Sequence, residues 1–442
     1  MAAQDRRQYE IFQIRSNDGS KTVNVSNLVI TFSYFENVLS PMVTAQAVIV
    51  NTGNAVVDEE EDITSIYNGL PLNGGEKVSI KIPATAEGPG IEFTEENGNE
   101  LYIASITNVL IDAERESFTI NLVSREAITN ETSRIGKKFP STEPISDSVK
   151  EIIKNYLLSD KDVDIDETQN PYGFIGNMKK PFTTLTWLAT KSVPGNVSGG
   201  SATAGYFFFE TYLGYHFRSV DSLINQDPFP VEYTYSPGVV DSQDPMKDYK
   251  ILDFSTMRNQ KLIENLEKGA YCTYRMYYNP LNSTFTTPQQ GEFKVSQYSK
   301  NMENLGRDFE ILLPPVNKTK KSLGNVPSRY MTGVLDFGIL EKKEAKSLKK
   351  NADPMDYHSQ AMMRYNTLFT QLLVMTVPLN TNLIAGNIIK CQFPRTDQEE
   401  RKEIDRNQSG LYMIKELVHY FDASGSYTKL KLVRDTFGER EK

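Results

Sequence analysis

Apolar and polar residues largely alternate along the first part of the chain: Val23 and Val25, then Leu28, Ile30 and Phe32, then Val43 to Val50, then Val78, Ile80 and Ile82. Alternation of this kind predicts half-buried antiparallel strands from Tyr9 to about Val123. The acidic stretch Asp58, Glu59, Glu60, Glu61, Asp62 and the polar stretch Ala84 to Glu100, with Gly88-Pro89-Gly90 and Asn97-Gly98, read as solvated loops. After Asn130 the period lengthens. Val149, Ile152, Ile153, Tyr156 and Leu157 follow helical spacing behind Ser146 and Asp147, which can cap a helix. A second short helix is expected from Thr183 or Thr184 to Thr190. The Gly/Ser/Ala-rich loop Gly195 to Gly205 leads into a strand at Tyr206 to Glu210, which returns through Tyr215, His216 and Phe217. No Gly-Lys-Ser/Thr closes those glycines, so they do not form a phosphate cradle.

Strand signals resume at Val231 to Tyr235, followed by an expected helix from Ser255 to Lys268 closed by Gly269. Tyr271 to Tyr278 alternates like a strand. From about Gln289 to Lys350 the chain is polar and rich in lysine, including Lys318, Lys320, Lys321, Lys342, Lys343, Lys346, Lys349 and Lys350, and suits a solvated or partner-docking segment. Asp353-Pro354 opens a helix to about Tyr365, with Met355, Met362 and Tyr365 available for burial. Strands return at Gln371 to Val377, Ile388 to Phe393, Leu411 to Phe421 and Tyr427 to Val433.

Two of these stretches resemble each other. Leu101 to Val123 lies over Leu411 to Val433 at a constant offset of 310, with Leu101/Leu411, Tyr102/Tyr412, Asp112/Asp422, Ala113/Ala423, Leu122/Leu432 and Val123/Val433 identical. Upstream, Leu72 to Pro83 lies over Leu383 to Pro394 at an offset of 311, pairing Gly75 with Gly386 and setting Val78, Ile80 and Ile82 against Ile389, Cys391 and Phe393. One strand, one loop and one hairpin recur in order, which predicts a duplicated sheet module. Three copies of such a chain can present six similar modules, keeping true threefold symmetry on one face while docking onto a sixfold object on the other. Val109 and Val418, near the turns, are expected to serve module packing or ring closure.

Composition narrows the function. A chain of 442 residues exceeds one core, which stops growing at about 250 to 300 residues. The 23 Tyr and 22 Phe favour sheets and subunit seams. A formal charge of −9 argues against nucleic-acid binding as the main task. No secretory leader is visible after Met1. No run reaches the roughly 18 apolar residues that span a bilayer, since Leu372 to Leu379 is broken by Thr376 and Pro378, so a soluble protein without stable membrane insertion is expected. Cys272 and Cys391 are too few for a disulfide framework and read as small buried apolar residues.

Candidate chemistry is sparse. His216, His358 and His419 are scattered without metal-ligand spacing, and neither a Gly-x-Ser-x-Gly elbow nor a recognisable Cys/His signature occurs. A glycosidase needs only two carboxylates. Glu210 and Asp221 flank an aromatic stretch, but they read better as strand and helix-cap residues. No catalytic, cofactor-binding or metal-binding residue is therefore expected, and no cofactor.

Pro181-Phe-Thr-Thr-Leu-Thr-Trp187-Leu, Tyr206-Phe-Phe-Phe-Glu and Leu223-Ile-Asn-Gln-Asp-Pro-Phe-Pro, in this order, closely resemble the central baseplate hub proteins of T-even-like contractile-tailed bacteriophages, and Gly410-Leu-Tyr-Met-Ile-Lys-Glu-Leu-Val-His-Tyr looks like that family's last barrel hairpin. The specific stretch runs from Pro181 to Pro230. The resemblance implies a mainly β (α+β overall) chain with two tube-protein-like antiparallel β-barrel modules and an α+β insert, forming a homotrimeric, pseudo-hexameric ring. Its partners would be the cell-puncturing spike protein, the tail tube protein and the baseplate wedge proteins, with DNA only in transit through the channel. Its place would be the tail baseplate of a virion assembled in the host cytoplasm. On this reading the first module spans 1–130, the insert 131–230, the second module 231–288 and 358–436, and a peripheral extension 289–357. The stretches Gln289 to Lys350 and Thr396 to Asn407 exceed the family pattern. Two rival functions are a tail-associated peptidoglycan-degrading lysin and the spike-base protein of a contractile secretion apparatus.

Overall fold

The computed structural model describes residues 9–51, 56–57, 63–64, 66–70, 72–83, 90–112, 115–195, 203–235, 249–258, 261–280, 282–287, 291–297, 303–307, 323–335, 357–395, 404–422, 425–436 and 438. The acidic stretch 58–62, most of the lysine-rich stretch, Ala113, Ala423 and the expected helix start at Asp353-Pro354 lie outside the described residues.

The alternating first part folds into β1 (Ile11–Arg15), β2 (Thr22–Asn24), β3 (Val29–Asn37), β4 (Thr44–Asn51), β5 (Lys77–Ile82), β6 (Ile91–Phe93), β7 (Leu101–Ile111) and β8 (Glu116–Ser124). One residue in two points inward, so Phe12, Phe32, Ile49, Ile80, Ile120 and Leu122 share one core.

The insert follows, with α1 (Arg125–Thr132), α2 (Ile145–Asn155), β9 (Val163–Ile165), α3 (Pro181–Ala189), β10 (Tyr206–Thr211), β11 (Gly214–Ser219) and α4 (Val220–Asn225). Here α2 starts one residue before the expected cap, so Ser146 and Asp147 sit in its first turn, and its apolar stripe Val149, Ile152 and Ile153 is buried. The start of α3 at Pro181 uses the ring's fixed φ in the first turn. Ser219, not Asp221, caps α4, accepting the Ser222 N–H at 3.1 Å.

The remainder forms β12 (Glu232–Thr234), β13 (Asp253–Arg258), α5 (Leu262–Lys268), β14 (Cys272–Asn279), β15 (Thr284–Phe285), β16 (Glu292–Lys294), β17 (Arg329–Val334), α6 (His358–Leu368), β18 (Gln371–Pro378), β19 (Ile388–Gln392), β20 (Gly410–Phe421) and β21 (Ser426–Arg434). The helix expected from Ser255 shrinks to α5, because residues 253–258 pair along β18 and sheet pairing overrides local propensity. Gly269 still closes that helix, at φ +74°. The strand β14 joins β15, β16 and β17 in a separate four-stranded sheet, so the expected division at residue 288 cuts through that sheet.

Among the described residues the main sheet runs β13-β18-β21-β20-β3-β4-β8-β7-β5-β1-β2, with β6 on β5 and with β19, which carries β12, on the first half of β20. Five strands of its first half recur in the second. The order β5-β7-β8-β4-β3 matches β19-β20-β21-β18-β13 both in space and along the chain. Registers match as well. Leu122 lies between Ala45 and Ile103 as Leu432 lies between Leu373 and Ile414, and Tyr34 faces Ala45 as Thr256 faces Leu373. Gly75 and Gly386 both take φ +93° and donate N–H bonds to Ile103 O at 2.7 Å and Ile414 O at 2.8 Å. A left-handed residue is needed at that corner, and glycine supplies it without strain. Each hairpin turn is held by an aspartate: Asp112 Oδ1 accepts the Arg115 N–H at 2.7 Å, and Asp422 Oδ1 accepts the Gly425 N–H at 3.0 Å.

The gapless alignment needs one correction. Ile103 stands where Ile414 stands, an offset of 311, whereas Ile111 stands where Phe421 stands, an offset of 310. Both first strands carry a bulge, at Ala104 and at Lys415. Only β7 has a second one, where Asn108 and Val109 together face the single residue Phe118 and Asn108 takes φ +55°. Leu101 and Tyr102 are therefore matched in space by Tyr412 and Met413, and the two identities at the start of the alignment are one residue out of register.

Candidate assembly surfaces

The two five-strand units meet inside one chain. The far edge of β3 pairs antiparallel with the second half of β20, from Asn37 opposite Glu416 to Phe32 opposite Phe421. On β3 the inward positions are Phe32, Tyr34 and Glu36, so the alternation carries a carboxylate into the interior. Glu36 Oε1 accepts the Tyr34 hydroxyl at 2.8 Å and the Tyr212 N–H at 2.6 Å, and Oε2 accepts the Ala385 N–H at 2.8 Å. One side chain thus ties the first unit, the insert and the corner before β19. Burial pushes its pKa up to about 7 against the pull of those three donors. His419 stacks beside Tyr34, with its Nδ1 3.0 Å from Thr428 Oγ1, and burial pushes its pKa down to about 4.

Two further clusters hold the insert in place. Lys161 bridges Glu126 and Glu210, and those carboxylates keep its pKa up against the desolvation that lowers it. Glu210 Oε2 also accepts the Val43 N–H at 2.9 Å and the Ser124 hydroxyl at 2.8 Å. Asp221 belongs to the other cluster. Its Oδ2 accepts the N–H and hydroxyl of Thr203 at 2.7 and 2.6 Å, while its Oδ1 accepts Arg364 Nη2 at 2.7 Å. Arg364 also reaches Asp435 at 3.3 Å and the Glu303 carbonyl, so α6, α4 and the chain beyond β21 meet at one guanidinium. Burial leaves the pKa of Asp435 raised although Arg364 opposes the shift. Glu210 and Asp221 thus sit in separate, hydrogen-bonded networks. As an acid/base pair they would have to break both.

The other titratable candidates also have structural partners. His216 Nε2 lies 2.8 Å from Thr211 Oγ1 and its Nδ1 3.4 Å from Asp164. His358 opens α6, and burial lowers its pKa. Cys272 and Cys391 are buried thiols, the first pushed up to about 11 by desolvation. Among the described residues no group of three or more His, Cys, Asp or Glu side chains is placed to hold a metal ion, and no helix is long and apolar enough to cross a membrane.

In the first unit the charges on the side of the sheet facing away from the core include Lys77 and Lys81 on β5, while the outward positions of β4 and β8 are uncharged. Gln46 Nε2 donates to Asn121 Oδ1 at 3.0 Å, and Asn121 Nδ2 to Ser105 Oγ at 3.0 Å, a polar ladder across β4, β8 and β7. In the second unit the positions matching Gln46, Asn121 and Ser105 carry Val374, Lys431 and Glu416, the last two paired at 2.7 Å, and Lys429 stands in the place of Thr119.

The same fold occurs in tail proteins of known structure. A tail protein from Neisseria meningitidis MC58 matches with a TM-score of 0.52 at 9% identity, over 96% of this chain and 96% of that one. The 43 kDa tail protein of prophage MuSo2 from Shewanella oneidensis matches with a TM-score of 0.51 at 9% identity, over 97% and 98%. An Escherichia coli component of the type VI secretion system, described as structurally similar to T4 bacteriophage tail proteins, gives a TM-score of 0.44 at 10% identity over 98% of this chain and 79% of that one. No family model matches the chain, and no curated protein matches it in sequence. Solved structures similar to the chain include phage tail and baseplate proteins and secretion-system components, and the chain is a mostly β protein with the fold of the Neisseria and Shewanella tail proteins.

Proposed function

We propose that the chain is the structural hub of a contractile tail baseplate rather than an enzyme. Three copies form a ring that joins a trimeric cell-puncturing spike to the sixfold tail tube, with the wedge proteins around it. Each copy contributes two tube-like barrels, the first within residues 1–130 and the second built from the main-sheet strands within 231–258 and 358–436, with 131–230 as the insert and the four-stranded sheet of β14, β15, β16 and β17, which crosses the division expected at residue 288, as a peripheral extension. The observation that carries this reading is the five-strand unit repeated in the same order and register, because a chain with two like units gives six from three copies. The uncharged polar ladder across Gln46, Asn121 and Ser105 suits a wall past which DNA moves without being held, since retention rests on Lys and Arg at phosphates.

Immunogold labelling of purified virions tests the location: label at the distal end of the tail is expected. Finding the chain absent from virions but present with the sheath of a secretion apparatus would favour the spike-base role instead. On a peptidoglycan zymogram the purified chain is expected to leave the gel uncleared, and a cleared band would revive the lysin.

A further inference from the structure

The junction of β3 with β20 joins the two units of one chain, and the repeat calls for a second junction of the same kind. In the repeat β13 takes the place of β3, and β7 the place of β20. Within the chain, and among the described residues, β13 pairs only with β18, while β7 beyond Ile103 pairs only with β8. The surfaces covered at the first junction are bare at these edges. Leu110, Ile111 and Met257 are 70%, 55% and 60% exposed, whereas their counterparts Tyr420, Phe421 and Phe35 are half-buried or buried. Free monomers blunt such edges with charges, prolines or short strands. From Ser105 to Ile111 this edge has no charged residue and no proline, and on β13 the charged residues Asp253 and Arg258 stand only at the two ends of the strand.

We propose that the outer edge of β7 in one copy pairs antiparallel with β13 of the next copy, in the register of the intra-chain junction. Leu110 then faces Ser255 as Tyr420 faces Ser33, and Ile111 faces Phe254 as Phe421 faces Phe32. Thr107 faces Met257 as Val418 faces Phe35, and the extra residue at Asn108 and Val109 occupies the place of His419, opposite Thr256. The seam between copies is thereby bent by a bulge that the seam within a copy lacks, so the two alternate around the assembly. The contact is head-to-tail and closes into a ring if its rotation allows. Closure at three copies rests on the function proposed above. The pairing itself rests on the repeat alone.

A disulfide across the seam tests the register. Val38 N–H donates to Lys415 O at 2.9 Å, and alternation from that pair makes Ser33 and Tyr420 a non-hydrogen-bonded pair. The matching pair Leu110 and Ser255 should bring Cβ atoms to about 4.5 to 5.5 Å, close enough for a bridge after small adjustment. Cys272 and Cys391 are buried and do not compete. The full chain carrying Leu110→Cys and Ser255→Cys is expected, on mild oxidation, to form closed covalent oligomers. The single variants, and the out-of-register pair Leu110→Cys with Met257→Cys, should give at least about tenfold less. Both substituted positions are exposed, so unchanged melting temperatures verify folding. Cross-linking no greater than in the single variants, or equal in both pairs, overturns the proposal. Closed oligomers of a number other than three uphold the pairing and overturn the threefold reading.

Discussion

Arg364→Met is expected to lower stability by about 3 to 5 kcal/mol, because it leaves two buried carboxylates without their cation. Arg364 is fully buried and touches Asp221, Asp435 and the Glu303 carbonyl. The loss should depend on pH in a defined direction. Without the guanidinium, burial drives the folded-state pKa of Asp435 further above its unfolded value, so this group's contribution to the variant's stability is greatest at low pH and falls as pH rises. Urea denaturation of both proteins between pH 4 and pH 8 should show the deficit widening with pH. Adding Asp435→Asn to the variant should recover part of it. A deficit below about 1 kcal/mol would mean that the triad is better solvated than its burial implies.

The second large effect comes from Glu36. Its folded pKa of about 7 lies above the ordinary 4.5, chiefly through burial. The folded state therefore holds a proton that the unfolded chain has released, and stability from this group is present below pH 4.5 and lost as pH rises to about 7. The shift corresponds to about 3 kcal/mol. In Glu36→Gln the amide nitrogen cannot accept the Ala385 N–H, a cost of about 1 to 2 kcal/mol. The variant should therefore be the less stable protein at pH 5 and the more stable one at pH 8. His419 works in the opposite sense, since a buried neutral imidazole loses stability as pH falls from 6.5 towards 4. The difference between the two proteins, not either curve alone, is the readout. Parallel curves would show that Glu36 does not titrate in this range.

The strands were legible because their alternation is regular and their partners lie close along the chain. The hairpins of β7 with β8 and β20 with β21 fall where Leu101 to Val123 and Leu411 to Val433 place them, and Gly75 and Gly386 take the same left-handed corner. The bulge at Asn108 was not legible, because one residue inserted in a strand keeps the composition and shifts the register without a gap signal. Val109 lies on the open edge and Val418 at the covered junction, but the bulge makes Thr107, not Val109, the counterpart of Val418, so the two valines do not hold corresponding places. Arg364 gave no signal, since Asp221 lies 143 residues away and Asp435 lies 71. Glu36 did give one. A carboxylate two residues beyond Tyr34, in phase with Phe32, sits on the inward face of its strand, and such a charge needs donors. The start of β13 was misread because Phe254, Met257 and the residues after them also fit a helical stripe, and only pairing with β18 settles the choice.

The mass of the native protein tests the central claim most directly. If each chain brings two like units to a closed ring, native mass spectrometry, alone and with the candidate spike, should give an assembly of three 50.0 kDa chains. A single-chain mass under every condition would contradict the account.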